Sequence, residues 1–331
     1  MRAARSANGT IGNITSIMKI LEKIIGIIDS WQRRHPAVAF AYAVIKKYGE
    51  DEAGYQAALL TYYGFLSLFP LLLVLTTLVG IIGGHNEAFK NTIIGGLTSY
   101  FPMFSSQLSG HIQTIHKSGA PLIIGILFTL YGARGVADAF RSGVNHIWQV
   151  PRAKRIGFPL SIIKSLIIIS VGGTGFLLAS ITSGYAASAG HGLLFRALSV
   201  AVNLLILFWL FRLLLNLALP ANVPFRQTRS GAAAAAIGLV LLQTTGGFVL
   251  SRELKSLDAV YSYFALALGL LFWLYLQAQT TYYAVEIAAV RSLKLYPRGM
   301  QVCNFTEADK RVNRRLKSHE RQIESVETNS N

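Results

Sequence analysis

Six stretches of about twenty or more mainly apolar residues constrain this chain more than any other feature, since a helix needs about 20 such residues to cross a bilayer. They lie at about 57–83, 121–148, 160–183, 193–219, 231–250 and 261–290, and we number them spans one to six. Only 14% of the 331 residues are charged, whereas a soluble domain carries about a quarter. The sequence therefore predicts an all-α integral membrane protein with six transmembrane helices.

Lysine and arginine are distributed unevenly between the connections. The segments before span one and after span six, together with the 2–3 and 4–5 connections, hold 22 of the 31 basic residues. The other connections hold four, or five if Arg196 is counted. Because basic residues gather on the cytoplasmic side of membrane proteins, both termini are predicted to be cytoplasmic. This asymmetry also accounts for the strongly basic character, so no nucleic-acid partner is expected.

The chain divides into three regions. Residues 1–53 are predicted to form cytoplasmic amphipathic helices, because isoleucines between 14 and 28 recur at helical spacing. Such a helix lies on the membrane surface or packs on the protein's own cytoplasmic face, and the pattern leaves both open. Residues 54–295 form the membrane domain, with an extracytoplasmic helical connection at 84–120. Residues 296–331 are a basic cytoplasmic tail that we expect to be disordered or to form a loose helix.

Polar and ionisable side chains inside the spans are the candidate site residues, because each costs about 2.5–3.5 kcal/mol or more near the bilayer centre unless it is paired or hydrated. Spacings of four, three and four place the first four of them on one face of span two, where Arg134 and Asp138 can pair. The full set is Arg134, Asp138, Arg141, Asn145, Arg212, Asn216, Tyr275, Gln279, Tyr282 and Glu286.

Two interpretations of this set remain open. In one, the polar stripes of the spans face each other around a polar cavity that accepts a substrate with an anionic group. In the other, they form an internal ion-pair network that fixes how the helices pack. Three arginines against two acids leave a positive surplus, which favours an anion site without deciding the matter.

Catalytic signatures are not visible in the sequence. The seven histidines form no H-E-x-x-H arrangement, and few carboxylates approach the spans. There is no G-x-S-x-G elbow and no phosphate-binding loop of the G-x-x-x-x-G-K-[ST] type. We therefore expect neither an enzyme nor a cofactor or metal site. Glycines in span three (172, 173 and 175) and between 231 and 238 in span five predict close helix packing.

Several motifs occur together in an order and spacing that resembles the YihY/virulence factor BrkB family of bacterial inner-membrane proteins. They are AALLTYY at 57–63 followed by SLFP at 67–70, RGVADAFRSGVN at 134–145 followed by Trp148, LPANVP at 219–224 followed by Gly231 and Ala232, and the segment from Tyr263 to Glu286. The resemblance covers about residues 30–295. It implies a multi-pass protein of the bacterial cytoplasmic (inner) membrane, with six helices and a poorly settled function.

Three functions follow from the residues and the resemblance together. The preferred one is a transporter or flippase for an amphipathic, anionic, lipid-like substrate, not driven by ATP on its own. The alternative is a non-catalytic scaffold or accessory subunit in which the charges are structural. A membrane-associated ribonuclease, a label that relatives have carried, is disfavoured by the missing metal ligands. The expected partners are membrane lipids, anionic ones included, with the basic termini near the cytoplasmic leaflet; a homo-oligomer is left open.

Overall fold

The computed structural model describes residues 23, 25–83, 119–151, 155, 157, 159–187, 193–220, 223–253, 259–300 and 306–314, and these residues contain helices and no β-strand. We label the helices α1 (25–34), α2 (Pro36–Glu50), α3 (Ala53–Gly83), α4 (Gly119–Ile147), α5 (Leu160–Ala187), α6 (Leu193–Ala218), α7 (Arg229–Glu253), α8 (Ala259–Ser292) and α9 (307–314). A short 3₁₀ helix, Phe225–Thr228, precedes α7. Most of the connection predicted at 84–120, and most of the amphipathic segment at 14–28, lie outside the described residues.

Each predicted span is one continuous helix, α3 to α8 in chain order. The shortest, α7, has 25 residues. At 1.5 Å per residue it is about 37 Å long, which exceeds the roughly 30 Å of a bilayer's hydrocarbon core. Span two begins at Gly119, two residues before the proline expected to start it.

Two described segments meet the length and composition of a membrane span, Leu160–Ser183 of α5 and Ala197–Ala218 of α6. Only 17% and 28% of their most apolar parts are buried. The core helix of a soluble protein would be mostly buried, so these exposed apolar faces suit contact with lipid. The count of six spans and the cytoplasmic placement of both termini stay predictions.

Glycines bring the helices into close contact at Gly175 of span three and Gly231 of span five, as the sequence predicted, whereas a Cβ on Gly173 would meet nothing within 4 Å. A Cβ built on Gly231 would lie 2.7 Å from the Ala284 carbonyl oxygen, and one on Gly246 would meet the Trp273 ring. Both contacts join α7 to α8. A Cβ on Gly175 of α5 would lie 2.4 Å from Leu210 of α6. These helices therefore approach more closely than any larger side chain would permit.

The end of α4 is fixed by a Schellman motif, in which the Val150 N–H donates to the Asn145 carbonyl oxygen at 2.9 Å. Gln149 has a φ of 51°, the left-handed conformation that this motif requires. Val150 is buried, as the hydrophobic contact of the motif demands. The helix thus stops where its polar face ends, and the chain turns toward α5.

The chain forms two compact units: a terminal unit (Met1–Lys47 and Val290–Asn331) and a central unit (Tyr48–Ala289). Asp309 organises the described part of the terminal unit. Its carboxylate accepts from the Arg298 Nε at 2.9 Å and from the Gly299 N–H at 2.9 Å. It also accepts from the Thr306 hydroxyl at 2.7 Å, and Thr306 in turn caps α9 by accepting from the Asp309 N–H at 3.2 Å.

The structure describes residues 296–300 and 306–314 of the tail, with a helix at 307–314, so of the two alternatives the helical one applies there. There the chain is ordered, with Ala308, Asp309 and Val312 buried. Sequence composition could not show this, because the order comes from contacts with distant residues: Lys46 donates to the Gly299 carbonyl oxygen at 2.7 Å. The rest of the tail lies outside the described residues.

Candidate functional site

The polar face of α4 lies against the start of α5 and holds a paired aspartate. Asp138 Oδ1 is 3.1 Å from Arg141 Nη2, and Asp138 Oδ2 is 3.6 Å from Arg134 Nε. Arg141 also donates to the Ser161 carbonyl oxygen at 3.1 Å, and the Ser165 hydroxyl lies 2.6 Å from Asp138 Oδ1. The predicted pair of Arg134 and Asp138 therefore exists within a larger network that joins α4 to α5.

Asn145 extends this face to the end of α6. Its side-chain amide donates to the Arg141 carbonyl oxygen at 2.7 Å and to the Ala218 carbonyl oxygen at 3.1 Å. The last carbonyls of a helix have no partner within the helix, so the second bond satisfies one that would otherwise be orphaned. A buried asparagine at this position thus fastens α4 to α6.

A cavity of about 170 Å³ lies beside this network, and we call it the polar pocket. It is lined by Asp138, Arg141, Ser142, Asn145, Arg155, Ala218 and Pro220. Two guanidinium groups against one carboxylate give the lining a positive charge, as an anion site requires. The sequence pointed to three of these residues. It missed Arg155, which counted only as a basic loop residue, and Ser165, which carries no charge.

Arg212 of α6 lies elsewhere, among aromatic rings. Its guanidinium carbon is 4.0 Å from the centroid of Phe225, 5.0 Å from that of Trp209 and 5.9 Å from that of Phe208. The residue is buried, and no carboxylate pairs with it among the described residues. Desolvated cation–π contacts are worth about 2 kcal/mol or more, so these rings stabilise the charge and tie the 3₁₀ helix to α6. Asn216, one turn later, is exposed.

The polar residues of α8 divide between two neighbours. Tyr282 is fully buried against α4, where its hydroxyl donates to the Ala139 carbonyl oxygen at 3.2 Å. Tyr275, Gln279 and Glu286 lie instead around Tyr48, which follows the terminal unit in the chain.

Tyr48 stacks on Tyr283 with ring centroids 4.0 Å apart. Burial raises the pKa of Tyr48 to about 12, and the nearby Tyr275 and Tyr283 contribute in the same direction. The Tyr48 hydroxyl is therefore neutral at physiological pH, so this cluster supplies no phenolate.

The ten candidate residues consequently lie in several places rather than around one cavity: Arg134 pairs with Asp138, Tyr282 packs against α4 and Asn216 is exposed. Asp138, Arg141 and Asn145 line the polar pocket, Arg212 lies in its aromatic surroundings, and three α8 residues lie near Tyr48. Among the described residues that line the polar pocket, span two contributes residues of its stripe and span six contributes none. Tyr282 of the α8 stripe packs on the α4 backbone, where its ring lies against Gly143 and its hydroxyl donates to the Ala139 carbonyl oxygen.

Between the helices there is instead an apolar cavity of about 250 Å³, which we call the central cavity. Helices α3 to α8 all contribute to its wall, which includes Leu60, Gly64, Val136, Gly172, Phe176, Leu207, Leu214, Leu239, Leu274 and Ala278. Thr61, Gln277 and Thr281 also line it, and the two threonine hydroxyls donate to carbonyl oxygens of their own helices at 2.8 and 2.9 Å. The cavity therefore offers mainly apolar surface.

No group of three or more metal-ligating side chains occurs among the residues that the structure describes. The described histidines are few; His146, for example, is exposed and lies 3.0 Å from the Asp51 carbonyl oxygen.

Comparison with known proteins assigns the family. The model of the virulence factor BrkB family matches residues 44–304, most of the chain. The chain belongs to this family. The match agrees with the resemblance found in the sequence and extends into the terminal unit at both ends.

Three relatives resemble the chain over most of its length. A UPF0761 membrane protein of Psychrobacter sp. (strain PRwf-1) is 26% identical over 85% of this chain, which spans 53% of that relative's length. The ribonuclease-like protein YfkH of Bacillus subtilis (strain 168) is 25% identical over 76% of this chain and 95% of its own. The inner membrane protein YhjD of Escherichia coli (strain K12) is 22% identical over 86% of this chain and 90% of that relative's length.

No solved structure matches the chain. The family and these relatives place the protein in the bacterial inner membrane, as the sequence predicted. They assign no settled activity, because the family is one of membrane proteins of uncertain function.

Proposed function

We propose that the central unit binds an amphipathic, anionic, lipid-like molecule and moves it across or within the membrane, without an ATPase of its own. The central cavity carries this proposal. Its wall is apolar and is drawn from all six long helices, so its shape depends on how the whole bundle packs. A site of this kind responds to helix rearrangement, as alternating access requires.

The size of the central cavity limits what enters it. An apolar cavity of about 150 Å³ stays dry and binds benzene, whereas drug-sized ligands occupy about 300–1,000 Å³. At about 250 Å³ the central cavity accommodates a segment of one hydrocarbon chain and excludes a whole lipid. We therefore expect one chain of the substrate to enter while its head group stays outside.

The polar pocket is the matching head-group site. Leu214 of the central cavity and Ala218 of the polar pocket lie one turn apart on α6, which corresponds to about 6 Å along the helix axis. Arg141 and Arg155 supply the positive charge that a phosphate or carboxylate head group requires. The two cavities together thus suit an amphipathic anion.

A scaffold is the second candidate, and a specific observation favours it. Asp138 is paired with both Arg134 and Arg141, and Arg212 has aromatic partners, so these charges have structural partners without any ligand. Under this alternative the central cavity is a packing defect with no occupant.

Filling the central cavity distinguishes the two. Gly64 lines the cavity, and a Cβ built there meets no atom within 4 Å. In Gly64→Leu the new side chain occupies the space proposed for the hydrocarbon chain. Gly173→Leu is the matched control, because a Cβ on Gly173 also has no neighbour within 4 Å and Gly173 does not line this cavity.

The measurement is leaflet exchange of fluorescent phosphatidylglycerol in liposomes containing the purified protein. We expect the wild type and Gly173→Leu to accelerate exchange, and Gly64→Leu to lose most of the acceleration while remaining folded. Equal exchange by both variants would exclude the central cavity from the path. If the wild type accelerates no anionic lipid, the scaffold function replaces the transporter.

A further inference from the structure

Helix α1 of the terminal unit buries polar side chains and exposes apolar ones, the reverse of a helix on the surface of a soluble protein. Its polar Asp29 and Gln32 are only 4% and 1% exposed, whereas Ile27, Ile28 and Trp31 are 62%, 46% and 54% exposed. Leaving such side chains in water forgoes the free energy that burial of their apolar surface would gain. The exposed face therefore calls for an apolar environment outside the terminal unit.

The buried polar side chains hold α1 in this rotation. Gln32 donates to the Arg298 carbonyl oxygen at 3.0 Å, and Asp29 accepts from the Met300 N–H at 3.0 Å. Asp29 also pairs with Arg33 at 2.5 Å. Rolling the helix to bury its isoleucines would break these bonds and leave buried polar groups without partners. The apolar face is thus exposed because the opposite face is fastened.

Charge lies next to the apolar face. At 100° per residue, Ile27, Ile28 and Trp31 fall within about 100° of one another around the helix. The exposed Arg34 falls about 20° from Ile27 around the helix, and the exposed Lys23 precedes α1 in the chain. An apolar stripe bordered by basic residues is the pattern of a helix lying in an anionic membrane interface, where tryptophan is also enriched.

We propose that α1 lies in the surface of an anionic bilayer, with Ile27, Ile28 and Trp31 among the acyl chains and head groups and with Lys23 and Arg34 near lipid phosphates. The partner is a lipid surface because the protein belongs to the inner membrane and because the charge beside the apolar stripe complements anionic lipid. This inference concerns the terminal unit alone and does not depend on the proposed transport.

Spin labels on α1 test the proposal. Cys303 is the one cysteine of the chain and is replaced by serine. Ile28→Cys then places a nitroxide on the apolar face, and Ser30→Cys places one on an exposed polar position of the same helix. The full-length protein is reconstituted in phosphatidylglycerol nanodiscs, and collision of each label with oxygen and with a water-soluble nickel chelate is measured.

We expect the label at 28 to collide preferentially with oxygen and the label at 30 with the nickel chelate, a reversal across two positions of one helix. Equal access of the nickel chelate to both labels would overturn the proposal, since α1 would then be in water. Spin–spin broadening at 28 that disappears on dilution with unlabelled protein would overturn it as well, because a second copy of the chain would cover this face.

Discussion

The interactions that stabilise the terminal unit differ from those that stabilise the central unit. In the terminal unit a buried carboxylate, Asp309, collects hydrogen bonds from a guanidinium, a backbone amide and a hydroxyl. In the central unit helices approach through glycines and bury large side chains such as Trp273 and Tyr282. A small, polar segment has little apolar surface to bury, so directional bonds must supply its order.

The comparison also separates two kinds of aspartate. Asp309 has a side chain that is 6% exposed and holds five polar partners, whereas the side chain of Asp138 is 40% exposed. Burial raises the pKa of Asp309, but hydrogen bonds from Thr306, the Gly299 amide and Arg298 outweigh burial and hold this pKa well below its usual range. A buried charge is stable only when ion pairs and hydrogen bonds satisfy all of its polar atoms.

Removing the Asp309 carboxylate gives the largest expected effect. Asp309→Ala removes the carboxylate that pairs with the buried Arg298 guanidinium, and breaking a buried ion pair costs about 3–5 kcal/mol. We expect residues 296–300 and 306–314 to lose protection against amide hydrogen exchange, measured on the full chain in nanodiscs. Glu307→Ala in the same helix is the control: Glu307 pairs with Lys310 at an exposed position and should change nothing measurable. Unchanged protection in Asp309→Ala would contradict the proposed role of the carboxylate.

Crowding the contact between α4 and α8 gives a smaller effect in the central unit. A Cβ on Gly143 would lie 2.4 Å from the Tyr282 hydroxyl oxygen, and that ring is fixed by its bond to Ala139. Gly143→Ala should therefore lower the thermal unfolding midpoint of the purified protein, at a cost of about 1–3 kcal/mol. Gly173→Ala, where the added methyl meets open space, should leave the midpoint unchanged. Equal midpoints for the two variants would show that α8 moves aside freely.

The smallest effect is a dependence on alkaline pH near Tyr48. The pKa of Tyr48 is raised from 10.0 to about 12 by burial and by its tyrosine neighbours. Its contribution to stability is therefore complete below pH 10 and is lost as the pH rises toward 12. Between pH 9 and 12 the free energy of unfolding should fall more steeply with pH in the wild type than in Tyr48→Phe. Identical profiles would place Tyr48 in contact with water.

Asp309 should show the opposite dependence, which sharpens the contrast between the units. Because its pKa is lowered in the folded protein, its contribution is present above the unfolded value of about 3.9 and is lost only as the pH falls below it. The protection of amides in residues 306–314 against hydrogen exchange should thus persist at mildly acidic pH. Loss of this protection already near pH 6 would indicate that another group controls this unit.

Much of the fold followed from the sequence because long apolar runs allow few alternatives. All six predicted spans coincide with continuous helices, and Asp138 pairs with Arg134 as the spacing of four predicted. The environment of Arg212 did not follow, since Phe225 approaches it from a different segment of the chain. The order around Asp309 did not follow either, because its partners include Lys46, more than 250 residues away.

The sequence by itself determined that this is a helical membrane protein of the virulence factor BrkB family, because apolar length, helical spacing and motif order are local properties of the chain. Only the tertiary structure decided which polar residues of different helices meet. Stripes on two helices can face each other or face different neighbours at the same spacing, and here Tyr282 contacts the backbone of α4 while Tyr275 and Gln279 lie near Tyr48. The apolar central cavity is lined by residues of all six long helices, and its existence depends on how these helices pack together. It could therefore be found only in three dimensions.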